Sequence, residues 1–340
     1  MHKTFNLAIV GATGLVGQAM LSILQQRKFP VNQLYLLASE RSSGEAMEFN
    51  EQPLVVSELD EFDFKKADIA LFTAGSAVSA VYAPKATAKG CLVIDNTPHF
   101  RYDDEVPLVI PEVNPEALAG YKKRHIIAKP NCSTIQMLVA LKPIYDAVGI
   151  NRINVVTFQS VSGAGKEAFN ELVKQAGQLL NGLPIKKPKA FTQQIAFNVI
   201  PHIDEFEENG YTREEMKMVW ETQKIFADQE IQVNATAVRV PVFHGHSEAV
   251  HIETNKKISA NKAKQILKKA PGVLVVDKFA NNGYPTPVSH PENDKVMVGR
   301  LREDISHPLG LDMWIVADNI RKGAALNAIQ IAEIMIQDYL

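Results

Sequence analysis

The chain has 340 residues and a formal net charge of −2, from 36 Lys and Arg against 38 Asp and Glu. At roughly 150 residues per domain there is room for about two domains, each with its own core, and there is no basic excess to release counterions from a nucleic acid. Hydrophobic residues make up 46% and charged residues 22%, a globular balance, and the two cysteines, Cys91 and Cys132, are too few for a disulfide framework and wrongly spaced for zinc, so a reducing cytoplasm and no metal are expected.

Residues 5–10 form a short apolar run ending in glycine, and residues 15–26 carry apolar positions at helical spacing, so the chain is predicted to open strand, turn, helix. The stretch 5–24 is not expected to be a signal or membrane segment. Asn6, Thr13, Gln18 and three glycines interrupt it, and no run approaches the ~18 apolar residues that a span needs. Strand patterns follow at 33–38, 67–73 and 92–95 with a helix at 78–89, and this alternation predicts a doubly wound parallel sheet with helices on both faces. A strand at 126–128 leads into an apolar-periodic helix that runs to Val148. Beyond about residue 150 the segments 153–160, 231–240, 249–254, 273–277 and 296–302 are β-rich, with helices at 166–180, 213–227 and 261–269. This predicts an α+β domain with a largely antiparallel sheet. Residues 182–189 read as an exposed loop, and the residues from Ile320 as one long amphipathic helix that packs back on the first domain.

Between the first strand and helix lies Gly11-Ala12-Thr13-Gly14-Leu15-Val16-Gly17. A bare glycine triplet is a weak signal, and position strengthens it. This one follows a strand, opens a helix and sits in the first β-α unit, where glycines let the backbone approach a pyrophosphate whose charge the helix N-terminus stabilises. The bland alternative is a structural turn. An NAD-selective site carries Asp or Glu at the end of the second strand; here the sequence is Ser39-Glu40-Arg41-Ser42-Ser43-Gly44. Ser39, Arg41 and Ser42 suit the 2′-phosphate of NADP. That reading has Glu40 facing solvent, because turned inward it would repel the phosphate, and it competes with a plain polar surface loop.

Cys132 lies in Lys129-Pro-Asn-Cys132-Ser-Thr-Ile-Gln136, where strand gives way to helix. A thiol at a helix N-terminus has its thiolate favoured and serves as a nucleophile. Asn131 is a preferred N-cap, and its amide could also steady an oxyanion. Cys91 falls inside a buried-strand pattern and reads as core packing. In Arg239-Val-Pro-Val-Phe-His244-Gly-His246 the arginine can hold a carboxylate bidentately, and an imidazole can carry a proton near neutral pH. Spacing does not choose between His244 and His246, and either could be structural. Thr212-Arg-Glu214-Glu215 spells a capping box, which accounts for Glu215. Glu214 and Lys217 share a helical face and could present opposite charges to a small zwitterionic or phosphorylated ligand, although taken alone the pair reads first as a solvated face.

The Gly11–Gly17 turn stands with Asp95-Asn96 ahead of Phe100-Arg101, Pro111-Glu-Val-Asn114, Pro130-Asn131-Cys132-Ser-Thr, Gln159-Ser-Val-Ser-Gly163-Ala-Gly165, Glu214-Glu-Met-Lys217, Arg239 with His246, and Asp318-Asn319 before the last helix. In this combination the sequence resembles the bacterial type of the aspartate-semialdehyde dehydrogenase family nearly end to end. The resemblance implies a Rossmann-type doubly wound NADP-binding domain over residues 1–130, with the helix 320–340 packed on it, and an α+β catalytic and dimerisation domain over 131–319. It further implies a homodimer that interconverts L-aspartyl 4-phosphate and L-aspartate 4-semialdehyde plus phosphate with NADP, in the route to lysine, methionine and threonine. Cys132 matches the thioester-forming nucleophile, His246 the acid–base and Gln159 the group that orients the reacting centre. Arg239 and Glu214 match the carboxylate and ammonium partners, Arg101 and Lys217 the phosphate site, and Asn131 a substrate contact. Cofactor contacts are implied at Gly11, Thr13, Gly14, Leu15, Val16, Gly17, Ser39, Arg41, Ser42, Gly75, Ser76, Gly163 and Asn319, the last with an N-cap as its bland alternative. One local departure is Thr97-Pro98-His99-Phe100, where the family is serine-rich, which bears on loop geometry.

Two rivals remain at this stage. N-acetyl-γ-glutamyl-phosphate reductase uses the same thioester logic on an acylated substrate, but an N-acetyl group offers Glu214 no charge to pair. A non-catalytic NADP-binding sensor or scaffold is a different class, and the presence of both Cys132 and His246 weighs against it. No nucleic-acid or membrane partner is expected.

Overall fold

In the computed structural model, which describes residues 3–278, 280–289 and 293–340, the first apolar run forms β1 (Phe5–Val10), and Gly11 turns the chain toward α1 (Leu15–Gln26). β2 (Val31–Ala38), β3 (Ala46–Phe49), β4 (Gln52–Val55), β5 (Ser57–Glu58), β6 (Ile69–Phe72), α2 (Ser76–Thr87), β7 (Leu92–Asp95) and β8 (Ile126–Ala128) follow. The sheet order is β5-β2-β1-β6-β7-β8 and every pairing is parallel. Leu7, Ile9, Ile69, Leu71 and Ile94 are wholly buried, which is why these strands read as continuous apolar runs rather than alternating ones. From β1 the chain moves to β2 on one side, and β6 lies on the other. The order therefore reverses between β1 and β6, the place where open α/β sheets leave a crevice at their carboxyl ends.

Two turns open at that crevice, Gly11 after β1 and Gly75 before α2. A Cβ at Gly17 would lie 2.4 Å from the Gly11 carbonyl oxygen, so α1 can start this close to β1 only with glycine there. The β3–β4 hairpin is absent from the sequence reading. Its two turn residues, Asn50 and Glu51, both have positive φ, the conformation that Asn-Gly usually signals, and Glu51 hides the signal.

The chain divides into two compact units, Met1–Pro130 with Ala324–Leu340, and Asn131–Gly323. The second holds α3 (Cys132–Val148), β9 (Ile150–Gln159), α4 (Lys166–Leu180), α5 (Arg213–Phe226), β10 (Gln232–Arg239), β11 (His246–Thr254), α6 (Ala260–Leu267), β12 (Val273–Val275), β13 (Val296–Glu303) and β14 (Gly310–Ala317). Its sheet order is β10-β9-β11-β14-β13-β12. The three inner pairings are antiparallel, while β10 and β12 join the edges in parallel, so the sheet is mixed and antiparallel in its middle. Helix α3 packs against β9, β11, β13 and β14. His246, Glu248, Val250 and Ile252 alternate along β11 and are buried; Ala249, His251, Val156 and Trp314 line a hollow of about 540 Å³. Residues 182–189 form neither helix nor strand and are mostly exposed.

The single helix expected from Ile320 is instead a π-helical turn, Arg321–Ala325, followed by α7 (Leu326–Asp338). The Gly323 amide donates to the Asp318 carbonyl at 3.1 Å, an i to i−5 bond that widens the turn. Within the first unit α7 packs against α1 and β7. It buries Leu326, Ile329, Ala332 and Met335, and Arg27 holds Glu333 by a bidentate pair at 2.7 and 2.6 Å.

Candidate active site

Cys132 is the first residue of α3 and is partly exposed. Asn131 caps the helix: its Oδ1 accepts from the amides of Ser133 and Thr134 at 2.9 and 3.4 Å. Its Nδ2 donates to Glu214 Oε1 at 2.9 Å and its main-chain N–H to Glu221 Oε2 at 2.7 Å. The cap fixes Cys132 at the positive end of the helix dipole, so the capping role of Asn131 is visible, and its side-chain amide is turned to Glu214.

Glu214 and Lys217 are only 6% and 8% exposed, which corrects their reading as a solvated face. The Thr212–Glu215 capping box forms as expected, and Glu215 Oε1 also accepts from the Ala237 amide at 2.9 Å. That second bond pins α5 on β10 and turns the Glu214 face inward. Lys217 Nζ pairs with Glu214 at 2.9 Å and with Asp204 at 2.7 Å, while Gln159 Nε2 donates to Glu214 at 3.1 Å. Burial disfavours the charged carboxylate, but the Lys217 ammonium and the hydrogen bonds from Lys217, Asn131 and Gln159 outweigh it and hold Glu214 at about 2. Asp204 had no signal in the sequence, since it pairs from an irregular segment.

Ser160 joins the other two groups. Its main-chain N–H donates to His246 Nδ1 at 3.1 Å, and its carbonyl accepts from Arg239 Nη1 at 2.7 Å. Burial, and then the Arg239 cation, push His246 down to about 3, so the imidazole is neutral at working pH. Nδ1 also lies 3.2 Å from Ser160 Oγ. Because Nδ1 accepts the Ser160 N–H, the neutral ring carries its proton on Nε2, which has no partner among the described residues. A Cβ at Gly163 would stand 3.1 Å from Arg239 Nη1 and 3.2 Å from His246 Nε2; glycine leaves that space open. Burial lowers the Arg239 pKa, while the charges of Glu214 and Cys132 work to raise it. Geometry thus separates the two histidines: His246 is wholly buried in this cluster, and His244 is exposed with its ring 5.3 Å from Phe169.

Asn319, 2% exposed, accepts from the Gly245 amide at 2.8 Å and Ser160 Oγ at 3.1 Å and donates to Ser162 Oγ at 3.0 Å. It is not an N-cap; Asp318 is, accepting from the amides of Ile320 and Arg321. Gly323 completes the wall, because a Cβ there would lie 2.8 Å from the Cys132 Cβ. Ser160, Ser162 and Glu221 were not singled out from sequence. Their contributions run largely through main-chain atoms or second partners, which residue type does not encode.

In the first unit the N-cap of α1 is Gly14, with no side-chain cap and no acidic residue in the first turn; α2 likewise starts from Gly75 and Ser76 with no side-chain cap. Thr13, Leu15 and Val16 lie along the same turn. Two neighbouring helix N-termini without protein caps, beside a switch point, fit a dinucleotide pyrophosphate. Ser39 precedes a short 3₁₀ turn, Glu40–Ser42, that holds Arg41 and Ser42 after β2; Glu40 is exposed, and desolvation first and then the Glu40 charge raise the Glu58 carboxyl pKa. Arg101 is buried and donates to the Asn96 carbonyl at 3.0 Å. Its loop is anchored by Asp95, which accepts from Thr97 N, Thr97 Oγ1 and Ser79 Oγ, each at 2.9 Å. Cys91 is core, its thiol pushed up to about 12 by burial.

A family model described as "Semialdehyde dehydrogenase, NAD binding domain" matches residues 6–121, and one described as "Semialdehyde dehydrogenase, dimerisation domain" matches residues 141–322. An aspartate-semialdehyde dehydrogenase of Legionella pneumophila is 61% identical, with 100% of this chain and 98% of the relative covered. The chain belongs to the aspartate-semialdehyde dehydrogenase family. Among solved family members, aspartate semialdehyde dehydrogenase II of Vibrio cholerae complexed with ASA has a TM-score of 0.98 at 57% identity, with 100% of both chains covered. The aspartate semialdehyde dehydrogenase of Candida albicans with NADP has a TM-score of 0.74 at 26% identity over 98% of both chains.

Proposed function

We propose that the chain catalyses the reversible NADP-dependent interconversion of L-aspartyl 4-phosphate and L-aspartate 4-semialdehyde plus phosphate, through a thioester on Cys132. The observation that carries this reading is the second unit's cluster: a partly exposed cysteine at a capped helix N-terminus, with the buried Glu214, Arg239 and neutral His246 built around it. In the oxidative direction the Cys132 thiolate adds to the aldehyde carbon, and the new alkoxide draws the His246 Nε2 proton toward itself. That proton returns to His246 Nε2 as hydride leaves the same carbon and the carbonyl re-forms as a thioester. NADP, when bound, supplies the hydride acceptor. Phosphate attacks the thioester carbon and the thiolate departs, its charge stabilised by the helix dipole. Arg239 is suited to the substrate carboxylate and the negative Glu214 to its ammonium.

The phosphate-binding roles of Arg101 and Lys217, the orienting role of Gln159, the substrate contact of Asn131 and the cofactor contacts of Gly163 and Asn319 rest on the family resemblance. Residues 1–130 with 320–340 bind NADP, and 131–319 carry catalysis and the homodimer contact; the dimerisation-domain match supports the latter. A cytoplasmic site of action is supported by the two-cysteine composition, and no helix among the described residues is long and apolar enough to cross a membrane.

The test is reduction of NADP, followed at the nicotinamide absorbance band, with aspartate semialdehyde and phosphate against N-acetylglutamate semialdehyde and phosphate. Turnover is expected only with the first. Turnover only with the second would replace this function with the acetylated-substrate reductase, and none with either would leave a non-catalytic binder.

A further inference from the structure

Beneath Cys132 and His246 lies a carboxyl group that no step above uses. Glu248 follows His246 by two residues on the same face of β11 and is wholly buried. Neither of its oxygens has a hydrogen-bond partner. Gln136, also wholly buried, follows Cys132 by one helical turn on the same side of α3. Its Nε2 is 3.4 Å from the His246 carbonyl oxygen on β11, against which α3 packs; its side chain acts to lower the Glu248 pKa without forming a well-aligned hydrogen bond to it, and its Oε1 has no partner. The helix thus stacks Cys132 over Gln136 where the strand stacks His246 over Glu248.

A buried carboxylate without a cation is costly, and among the described residues no cation pairs with Glu248. Complete burial with no cation beside it disfavours the charged form and pushes its pKa well above the usual carboxylate range, which favours the neutral acid. A carboxylic acid and a primary amide are complementary: the acid O–H donates to the amide oxygen while the amide N–H donates to the acid carbonyl. That pairing gives partners to both Glu248 oxygens and to Gln136 Oε1 at once. A carboxylate, which can only accept, would leave Oε1 unsatisfied.

We propose that Gln136 and Glu248 form this acid–amide pair, and that the pair is a positioning device which clamps the nucleophile's helix to the acid–base strand. The inference rests on the reading of Cys132 as nucleophile and His246 as acid–base. Polar pairs at this depth fix one register between elements where apolar packing tolerates several, and a displacement near 1 Å between reacting groups can cost about a hundredfold in rate.

The experiment compares Glu248→Gln, Glu248→Leu, Gln136→Met and Cys132→Ala in the full-length enzyme, reading kcat, the KM for NADP, the melting temperature and the rate of Cys132 alkylation by iodoacetamide. Glu248→Gln keeps a neutral donor and is expected to hold kcat within about threefold. Glu248→Leu is expected to lower kcat about ten- to a hundredfold with the KM for NADP unchanged and alkylation altered; Gln136→Met carries the same expectation if Glu248→Leu does not fold. The proposal is overturned if the apolar variants keep wild-type kcat, which makes the pair mere packing. It is equally overturned if Glu248→Gln is as slow as Glu248→Leu, which makes a transferable carboxyl proton the requirement. Activity in Cys132→Ala would instead sink the thioester reading itself.

Discussion

His246 shows how much a single residue owes to its surroundings. It sits seven residues after Arg239, and nothing in that spacing prefers it to His244; burial against Ser160, Gly163 and Arg239 does. His246→Asn is expected to lower kcat by ~10²–10⁴, the usual worth of a positioned acid–base, with His244→Asn costing far less, and steady-state kinetics on both checks it. The same surroundings set the acid limb of stability. His246 lies near 3 in the folded chain against 6.5 when unfolded, so the unfolded chain takes up a proton as pH falls from 6.5 toward 3 and the fold is destabilised over that window. Glu214, near 2 folded against 4.5, contributes stability that is full above 4.5 and is lost as pH falls through 2. Urea unfolding from pH 7 to pH 3 is expected to show a shallower loss in His246→Asn and in Glu214→Gln than in the natural chain; parallel curves would contradict both assignments. Glu214 and Lys217 were legible as a charged pair but not as a buried one, because their partners Asp204, Asn131 and Gln159 arrive from three other segments.

At the scale of elements, the strands and helices with strong periodicity were readable within a few residues, and helix 166–180 was read to its bounds. The misses have physical causes. β14 reads Gly310-Leu-Asp-Met-Trp-Ile-Val-Ala317, an alternation that gives way to a buried apolar run as the strand enters the sheet's middle, so neither the two-residue period nor the continuous pattern holds throughout. The π-helical turn before α7 depends on close packing: Gly323 must abut Cys132, and a straight helix from Ile320 would not form the Asp318–Gly323 bond. Gly323→Ala is expected to push on Cys132 and lower kcat about ten- to a hundredfold while the chain stays folded, as judged by kinetics beside circular dichroism; unchanged kcat would mean that the turn yields freely. Glu215 links its own helix start to Ala237, and Glu215→Ala is expected to cost about 1–3 kcal/mol by leaving buried amides without an acceptor, measured as a lower urea midpoint.

For the whole molecule, the fold class was legible because parallel and antiparallel regions differ in sequence texture, and the family because its motifs occur in order along the chain. Cofactor choice belongs at this scale too. With Arg41 beside Ser39 and Ser42 and Glu40 exposed, Arg41→Ala is expected to weaken NADP by roughly ten- to a hundredfold while barely changing NAD, from a charged hydrogen bond of about 1.5–3 kcal/mol. Catalytic efficiency with each nucleotide decides it, and a reversal of preference in Glu40→Ala would make Glu40 the selector instead. The most direct measurement of the central claim is a single turnover with aspartate semialdehyde and NADP in the absence of phosphate, followed by mass spectrometry of the Cys132 peptide. The account predicts a burst of reduced nicotinamide stoichiometric with active sites and an aspartyl thioester on Cys132 that added phosphate discharges. A burst with the acyl group on another residue, or reduction with no covalent intermediate at all, would contradict it.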